Sequence, residues 1–228
     1  MLFQSAPSAT EGMTAESDIR SGRIRVLCVD DHPVMRDGIA YALKGQEDIE
    51  LVAEAGSGEE AIALFKQSEP DITLMDLGLP GMDGIQAVEE IRRVSCAAHI
   101  IVLTSHMGDA MVRRALRAGV AGYLLKHMLR TDLIGTIRKV ARGEKAISPA
   151  IAISLASRMG EEELSAREIE VLGLVSFGNS NKRVASRLKV SEDTVKTHMK
   201  HILQKLRVND RTHAVTVAMQ RGFLTRVD

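Results

Sequence analysis

Short apolar runs rich in β-branched residues alternate with amphipathic stretches from Arg23 to about residue 143. Apolar runs of about four to eight residues are typical of strands buried on both faces, and the stretches between them have helical periodicity. The five predicted strands are Ile24–Val29, Ile49–Glu54, Ile72–Met75, Ile100–Leu103 and Gly122–Leu125. The predicted helices are Pro33–Lys44, Gly58–Glu69, Gly84–Val94, Asp109–Ala118 and Thr131–Arg142. This alternation predicts a doubly wound α/β domain over residues 23–143, with a parallel sheet covered by helices.

The pattern changes after Gly143. Residues 144–160 contain Pro149 and a modest apolar pattern, which is typical of a linker that holds a short helix. Four helices are predicted beyond it with no strand signal: Ala166–Ser176, Asn181–Leu188, Glu192–Leu206 and Arg211–Arg221. Residues 1–22 are rich in Ser, Thr and Glu, which predicts a flexible tail. We therefore expect a tail, an α/β domain, a linker and a small all-α domain over residues 161–228.

The charges of the chain are unevenly distributed, although the net charge is zero. Residues 1–164 hold 18 Lys and Arg against 24 Asp and Glu, a net charge of −6, whereas residues 165–228 hold 12 against 6, a net charge of +6. A basic domain joined to an acidic one is typical of a protein whose basic part meets a polyanion.

The cysteines and the apolar runs exclude several classes of protein. Cys28 and Cys96 fit no metal-ligand spacing and no disulfide framework, so a reducing compartment is expected. No apolar run approaches the roughly 18 to 20 residues that a membrane span needs, and the first residues lack the pattern of a secretion signal. We expect a cytoplasmic protein with no membrane partner.

Polar residues follow the predicted strands at one edge of the sheet. Asp30 and Asp31 follow the first strand, Asp76 the third, Thr104 the fourth and Lys126 the fifth. Because ligands bind beyond the carboxyl ends of parallel strands, these side chains are predicted to converge. Three converging carboxylates repel one another unless a cation lies among them, and oxygen ligands suit Mg²⁺. The backbone carbonyl of Gly78 is a further candidate ligand.

These residue types suit phosphoryl chemistry. A carboxylate beside a divalent cation can attack a phosphoryl group and form an acyl phosphate. Asp76 is the candidate nucleophile, while Lys126 offers a positive charge and Thr104 a hydroxyl to the phosphoryl oxygens.

One of the carboxy-terminal helices has a basic outer face. Ser191 is a candidate N-cap, and Val195, Met199, Ile202, Leu203 and Leu206 form an apolar stripe that must face a core. Lys196, Thr197 and Lys200 point away from that stripe, since residues four apart differ by only about 40° around a helix. A short helix, a turn near Lys189 and this basic helix are the layout of a helix-turn-helix.

The segments VLCVDDHPVMRDGI, DITLMDLGLPGMDGI, IIVLTSH and AGYLLKH resemble the receiver domain of two-component response regulators over residues 23–143. The resemblance implies a flavodoxin-like sheet of five parallel strands in the order 2-1-3-4-5. It implies that a histidine kinase phosphorylates Asp76, that Asp30 and Asp31 serve Mg²⁺, and that Thr104 and Lys126 contact the phosphoryl group. Tyr123 matches the aromatic switch position, and it is expected to turn inward when Thr104 moves towards the phosphate.

The sequence departs from this family near the pocket. Many receivers carry a proline in a cis peptide after the lysine, but His127 follows Lys126 here, and a cis bond to a non-proline residue costs about 3 kcal/mol. Gly78 offers no side chain two residues after Asp76, and His106 stands two residues after Thr104. We expect Gly78 and His106 to set the lifetime of the phosphoryl group.

The segment LSAREIEVLGLVSFGNSNKRVASRLKVSEDTVKTHMKHILQKLRVNDRTHAV resembles the LuxR-type helix-turn-helix of the NarL/FixJ subfamily. The resemblance carries the base-contacting positions onto Lys196, Thr197 and Lys200. Lys182 and Arg211 match regions that approach phosphates or neighbouring helices, and Arg183 stands where a glutamate is common. The last helix, Arg211–Arg221, is expected to mediate dimerisation.

These features favour a transcription regulator that is phosphorylated on Asp76 by a cognate histidine kinase and binds DNA as a homodimer. It is not expected to be an enzyme beyond accepting the phosphoryl group and slowly hydrolysing it. One alternative is a regulator with a receiver-like fold that binds DNA independently of phosphorylation. The other is a Mg²⁺-dependent phosphatase, which would need an acidic residue where Gly78 stands.

Overall fold

The computed structural model describes residues 22–105, 108–156 and 160–224. The tail predicted for residues 1–22 lies outside the described residues apart from Gly22, and so does His106. Within the described residues, no helix combines the length and the apolar character that crossing a membrane requires.

The amino-terminal part is a parallel sheet flanked by helices. Its strands are β1 (Ile24–Val29), β2 (Ile49–Ala55), β3 (Ile72–Asp76), β4 (His99–Thr104), β5 (Gly122–Leu125) and β6 (Ala146–Ile147). Its helices are α1 (Pro33–Lys44), α2 (Gly58–Ser68), α3 (Gly84–Val94), α4 (Asp109–Arg117) and α5 (Leu129–Ala141). The strand order is β2-β1-β3-β4-β5-β6, so the order predicted for the first five strands is confirmed.

The sixth strand corrects the prediction of a five-stranded sheet. β6 lies inside the segment predicted to be a linker and pairs in parallel with β5, with Gly122 opposite Ala146 and Tyr123 opposite Ile147. A strand at the edge of a sheet leaves unpaired N–H and C=O groups, and β6 covers those of β5. The same segment continues into helix α6 (Pro149–Ala156), whose Ile151 is fully buried in the core on one face of the sheet.

Local sequence signals explain where the helices begin. Pro33 occupies the first turn of α1, where a missing N–H costs nothing. Asp83 caps α3 by accepting hydrogen bonds from the backbone N–H groups of Ile85 and Gln86. The Gln86 side chain in turn accepts from the Asp83 N–H, which completes a capping box.

The carboxy-terminal part is all-helical and has its own core. Its helices are α7 (Ala166–Ser176), α8 (Asn181–Leu188), α9 (Glu192–Leu206) and α10 (Arg211–Arg221), with the predicted bounds. Ser165, Ser180, Ser191 and Asp210 cap them in turn through their side-chain oxygens. The predicted apolar stripe of α9 faces this core, where Val195, Met199, Ile202 and Leu206 are buried.

Gly84 fixes the path of the chain beyond Asp76. A Cβ atom at Gly84 would lie 2.1 Å from the backbone oxygen of Asp76 and 2.8 Å from the Cα atom of Leu77. Only a glycine permits this approach, because the neighbours are backbone atoms with no flexible side chain to give way. The start of α3 is thereby packed directly against the end of β3.

We expect Gly84→Ala to lower the free energy of unfolding by about 3 kcal/mol, because overpacking against backbone strains the loop. Urea denaturation measures this change. The matched control is Gly135→Ala in α5, where nothing lies near the added methyl group. That variant should be stabilised by about 0.5–1 kcal/mol, as expected for alanine replacing glycine within a helix. Equal stabilities of Gly84→Ala and the wild type would contradict this packing.

Candidate functional site

Lys126 lies between two aspartates at the carboxyl edge of the sheet. Its Nζ atom is 2.8 Å from Asp76 Oδ2 and 2.8 Å from Asp30 Oδ2. Both carboxylates are almost completely shielded from solvent, and the Lys126 side chain is 12% exposed. The strands place these residues, since Asp76 ends β3, Asp30 follows β1 and Lys126 follows β5. The structure therefore brings together the charges that the sequence placed on three separate strands.

The environment shifts the pKa values of this pair. Burial raises the pKa of the Asp76 carboxyl, and this effect outweighs the opposing effects of Lys126 and of the hydrogen bond from the Gly78 N–H. Burial alone would lower the pKa of Lys126, but its contacts with Asp30 and Asp76 raise it overall. Lys126 therefore remains an ammonium in the pocket and favours the ionised form of Asp76.

The other carboxylates form a cluster of oxygen ligands. One ligand atom each from Asp30, Asp31, His32 and Asp76 lies within 4.8 Å of the others. Asp31 Oδ1 is 2.6 Å from His32 Nδ1, and the His32 N–H donates to Asp30 Oδ1 at 2.9 Å. Asp30 Oδ2 lies next to Lys126 Nζ and Asp31 Oδ1 next to His32 Nδ1, yet both oxygens are buried without a hydrogen bond of good geometry among the described residues. Three carboxylates against one ammonium leave excess negative charge, which fits a divalent cation with oxygen ligands.

Thr104 and Tyr123 lie next to this pocket. Thr104 is buried at the end of β4, and its side chain is hydrogen-bonded to that of Tyr123. Tyr123 is 1% exposed, and burial raises the pKa of its phenol to about 12 despite that hydrogen bond. The ring is thus buried in this structure, and the inward turn expected from the resemblance stays a prediction.

The peptide between Lys126 and His127 is trans. Residues Lys126–Met128 form one turn of 3₁₀ helix that leads directly into α5. A cis peptide is therefore not needed to bring Lys126 to the two aspartates.

The basic residues of the all-helical part lie on its surface. Lys196, Thr197 and Lys200 are exposed along α9, and Lys182 and Arg183 are exposed at the start of α8. Lys196 Nζ lies 3.0 Å from Asp193 Oδ1, and this contact raises the pKa of the lysine. Exposed pairs of this kind contribute little, so a stronger anion can displace Asp193.

The arrangement of α8 and α9 is that of a helix-turn-helix. Lys189 ends α8 in the left-handed conformation, with a φ of 54°, and thereby redirects the chain towards α9. Arg211 donates a hydrogen bond to the Asn179 carbonyl at 2.8 Å, which ties the start of α10 to the loop before α8. Arg211 is therefore exposed and also holds two segments of the domain together.

Comparisons with known proteins agree with this architecture. The family model of the response regulator receiver domain matches residues 26–138, and that of bacterial regulatory proteins of the luxR family matches residues 162–218. The response regulator protein VraR of Staphylococcus aureus is 42% identical over 206 residues, which cover 88% of this chain and 99% of VraR. The chain belongs to the two-component response regulators.

Solved structures of related response regulators are also similar. ChrA, from a heme-sensing two-component system, is 36% identical with a TM-score of 0.53, and the match covers 89% of this chain and all of ChrA. RcsB in a complex with DNA is 26% identical with a TM-score of 0.63, covering 87% of this chain and 98% of RcsB. Members of this family are transcription factors and not classical enzymes, and their receiver domains generally bind Mg²⁺ in an acidic pocket.

Sequence reasoning missed part of what this response regulator builds around its pocket. His32 belongs to the cluster of possible ligands. In the sequence it is recognisable only as the residue before α1, so nothing marked it as a ligand. Arg36 donates to the backbone carbonyl of Asp30 at 2.5 Å, and its position one turn into α1 marks it only as part of a helical surface. Both side chains contact the acidic loop after β1.

Replacing Lys126 by methionine removes the positive charge and keeps most of the side-chain volume. We expect the free energy of unfolding to fall by about 3 kcal/mol, because Asp30 and Asp76 are left buried without their counter-charge. Chemical denaturation at neutral pH measures the loss. The control is Lys145→Met, since Lys145 is exposed, and its effect should stay within about 0.5 kcal/mol. A similarly small effect of Lys126→Met would contradict the role given to this ammonium.

Proposed function

We propose that this response regulator accepts a phosphoryl group on Asp76 from a histidine kinase and controls transcription by binding DNA through α8 and α9. Thr104 and Lys126 are the proposed phosphoryl contacts, and Tyr123 is the proposed switch residue. We further propose that Asp30, Asp31, Asp76 and the Gly78 carbonyl hold Mg²⁺. The observation that carries this proposal is the bridging of Asp30 and Asp76 by Lys126 in a buried acidic pocket.

The chemistry follows from the positions of these side chains. An Asp76 carboxylate oxygen attacks the phosphorus of a phosphohistidine, the new P–O bond forms as the P–N bond breaks, and the imidazole leaves with the bonding electron pair. Lys126 already contacts Asp76 Oδ2, so its ammonium lies where the charge of the incoming phosphoryl oxygens develops. A bound Mg²⁺ supplies further neutralisation of that charge. Gly78 adds no side chain between Asp76 and solvent.

The DNA-binding part of the proposal rests on the exposed basic face. Residues 182–211 hold nine Lys and Arg against three Asp and Glu, and the α9 residues Lys196, Thr197 and Lys200 are exposed together. A helix presented in this way by a helix-turn-helix fits the major groove of DNA. The complexes of RcsB dimers with DNA support the same use of this domain, with a homodimer on DNA as the proposed assembly.

We expect the wild type to gain one phosphoryl group per chain when it is incubated with acetyl phosphate and Mg²⁺, as measured by intact mass. Asp76→Ala should gain none, whereas Asp37→Ala, which removes an exposed carboxylate from α1, should behave like the wild type. Phosphorylation should also tighten promoter binding by the wild type and leave Asp76→Ala unchanged. If promoter binding changes neither on addition of the phosphodonor nor in Asp76→Ala, the phosphorylation-independent alternative would be favoured.

The two basic helices should respond differently to substitution. Lys182→Ala should weaken binding to all DNA sequences equally and lower the salt dependence of log K by about one, as expected for the loss of a phosphate contact. Lys200→Ala should instead lose about 1–3 kcal/mol of discrimination between the cognate and a mutated site. Fluorescence anisotropy over a range of salt concentrations separates these effects, with the exposed receiver residue Lys139→Ala as control. Identical behaviour of the three variants would exclude this interface.

A further inference from the structure

Arg36 connects the acidic loop after β1 with the end of β2. Its Nη1 atom donates a hydrogen bond to the backbone carbonyl of Asp30 at 2.5 Å, and its Nε atom lies 3.7 Å from Glu54 Oε2. Nη1 also lies against the backbone of Gly56, since a Cβ atom at Gly56 would be 3.7 Å from it. The Arg36 side chain is 22% exposed. One guanidinium thus contacts the ends of two neighbouring strands.

The position of this arginine is unfavourable for α1 itself. Arg36 is the fourth residue of α1, and a positive charge near the start of a helix opposes the helix dipole. Its side chain nevertheless reaches back to the residues before the helix. The ion pair with Glu54 is long and partly solvated, so it contributes little in return. The hydrogen bond to the Asp30 carbonyl is therefore the contact that accounts for the position of this side chain.

Asp30 is held at each of its polar groups. Its backbone N–H donates to the Ala55 carbonyl at 3.1 Å, and its Oδ1 atom accepts from the His32 N–H at 2.9 Å. Its Oδ2 atom faces Lys126, and its carbonyl oxygen accepts from Arg36. The Asp30 side chain is fully buried, so its orientation depends on these partners and not on bulk water.

The Asp30 carbonyl belongs to the peptide unit that joins Asp30 to Asp31. A peptide unit is planar, so a bond that holds its oxygen fixes the orientation of the whole unit. Two carboxylates of the proposed cation site extend from the residues on either side of this unit. Arg36 therefore acts on both carboxylates through the backbone.

We propose that Arg36 is a positioning residue for the cation site. By holding the peptide between Asp30 and Asp31, it keeps both carboxylates in the arrangement that binds Mg²⁺. The cation site rests on the proposed function, whereas the control of the loop by Arg36 does not. Groups that orient metal ligands without touching the metal typically change metal affinity by about 10-fold to 100-fold when they are replaced.

The charge of Arg36 has the opposite effect on a cation. Its guanidinium lies close to the acidic loop, and it repels a cation that is bound there. If charge were all that Arg36 contributed, its removal would tighten the binding of Mg²⁺. If positioning dominates, its removal weakens that binding. The sign of the change in Mg²⁺ affinity therefore separates the two effects.

The test replaces Arg36 by methionine in the full chain, which removes the guanidinium and keeps an unbranched side chain. We expect the dissociation constant for Mg²⁺ to rise by about 10-fold or more, as measured by isothermal titration calorimetry. Phosphorylation by acetyl phosphate should need correspondingly more Mg²⁺ to reach half of its maximal rate. The rate at saturating Mg²⁺ should remain that of the wild type, because Arg36 contacts neither the phosphoryl group nor Asp76 in the proposed mechanism.

Arg25→Met is the matched control. Arg25 is also half-buried and donates to a backbone carbonyl, that of Ser68 at 2.6 Å, but it lies near the opposite end of β1. Both methionine variants should lose stability, whereas the Mg²⁺ affinity of Arg25→Met should stay at the wild-type value. Arg36→Lys keeps the charge and changes the geometry of the donor, so it should weaken Mg²⁺ binding less than Arg36→Met does.

Mg²⁺ binding by Arg36→Met that is as tight as in the wild type, or tighter, would overturn the positioning role. Unchanged binding by Arg36→Lys would do the same if the methionine variant does not fold. A wild type that binds no Mg²⁺ would instead overturn the proposed cation site. The amide hydrogen of His32, which is bonded to Asp30 Oδ1, then decides the control of the loop. It should exchange faster in Arg36→Met than in Arg25→Met, and equal rates would overturn that control.

Discussion

The pocket depends on one ammonium shared by two buried carboxylates. Lys126 contacts Asp30 and Asp76 at equal distances, and without it the negative charges at the ends of β1 and β3 would repel one another in a poorly solvated site. The fold makes this arrangement possible because parallel strands end at the same edge of the sheet. One lysine does not balance three carboxylates, so the site retains negative charge that suits a divalent cation.

A phosphoryl group in this pocket would change its balance of charge. A phosphoryl group adds roughly two negative charges, and the groups that can answer them are the Lys126 ammonium, the Thr104 hydroxyl and a bound cation. Thr104 ends β4, and the chain from there reaches α4, whose first residue holds Arg221.

Much of the fold follows from local signals in the sequence. The bounds of β1, β5, α1 and α3 are predicted correctly because apolar runs and signals at helix starts determine them locally. Pro33 is the first residue of α1, and Asp83 is the N-cap of α3. β6 was missed because a strand of two residues is too short to show a periodic pattern. It forms because it pairs with the edge of β5. The Asp109–Arg221 ion pair between the two domains could not be predicted, because its residues are 112 positions apart in the sequence. An acidic residue at the start of a helix and a basic residue at its end are also common in helices that form no such pair. The residues of the pocket are therefore predictable from local sequence patterns, whereas the contact between the two domains is not.

The most direct measurement of the central claim is the effect of Mg²⁺ on the free energy of unfolding. A cation held by the strand-end carboxylates should stabilise the wild type by about 2.7 kcal/mol at a hundred times its dissociation constant. Asp31→Asn, which removes one ligand charge, should lose most of that stabilisation, while Asp37→Asn on the exposed face of α1 should keep it. Equal stabilisation of all three proteins by Mg²⁺ would contradict the claim that these carboxylates form the cation site.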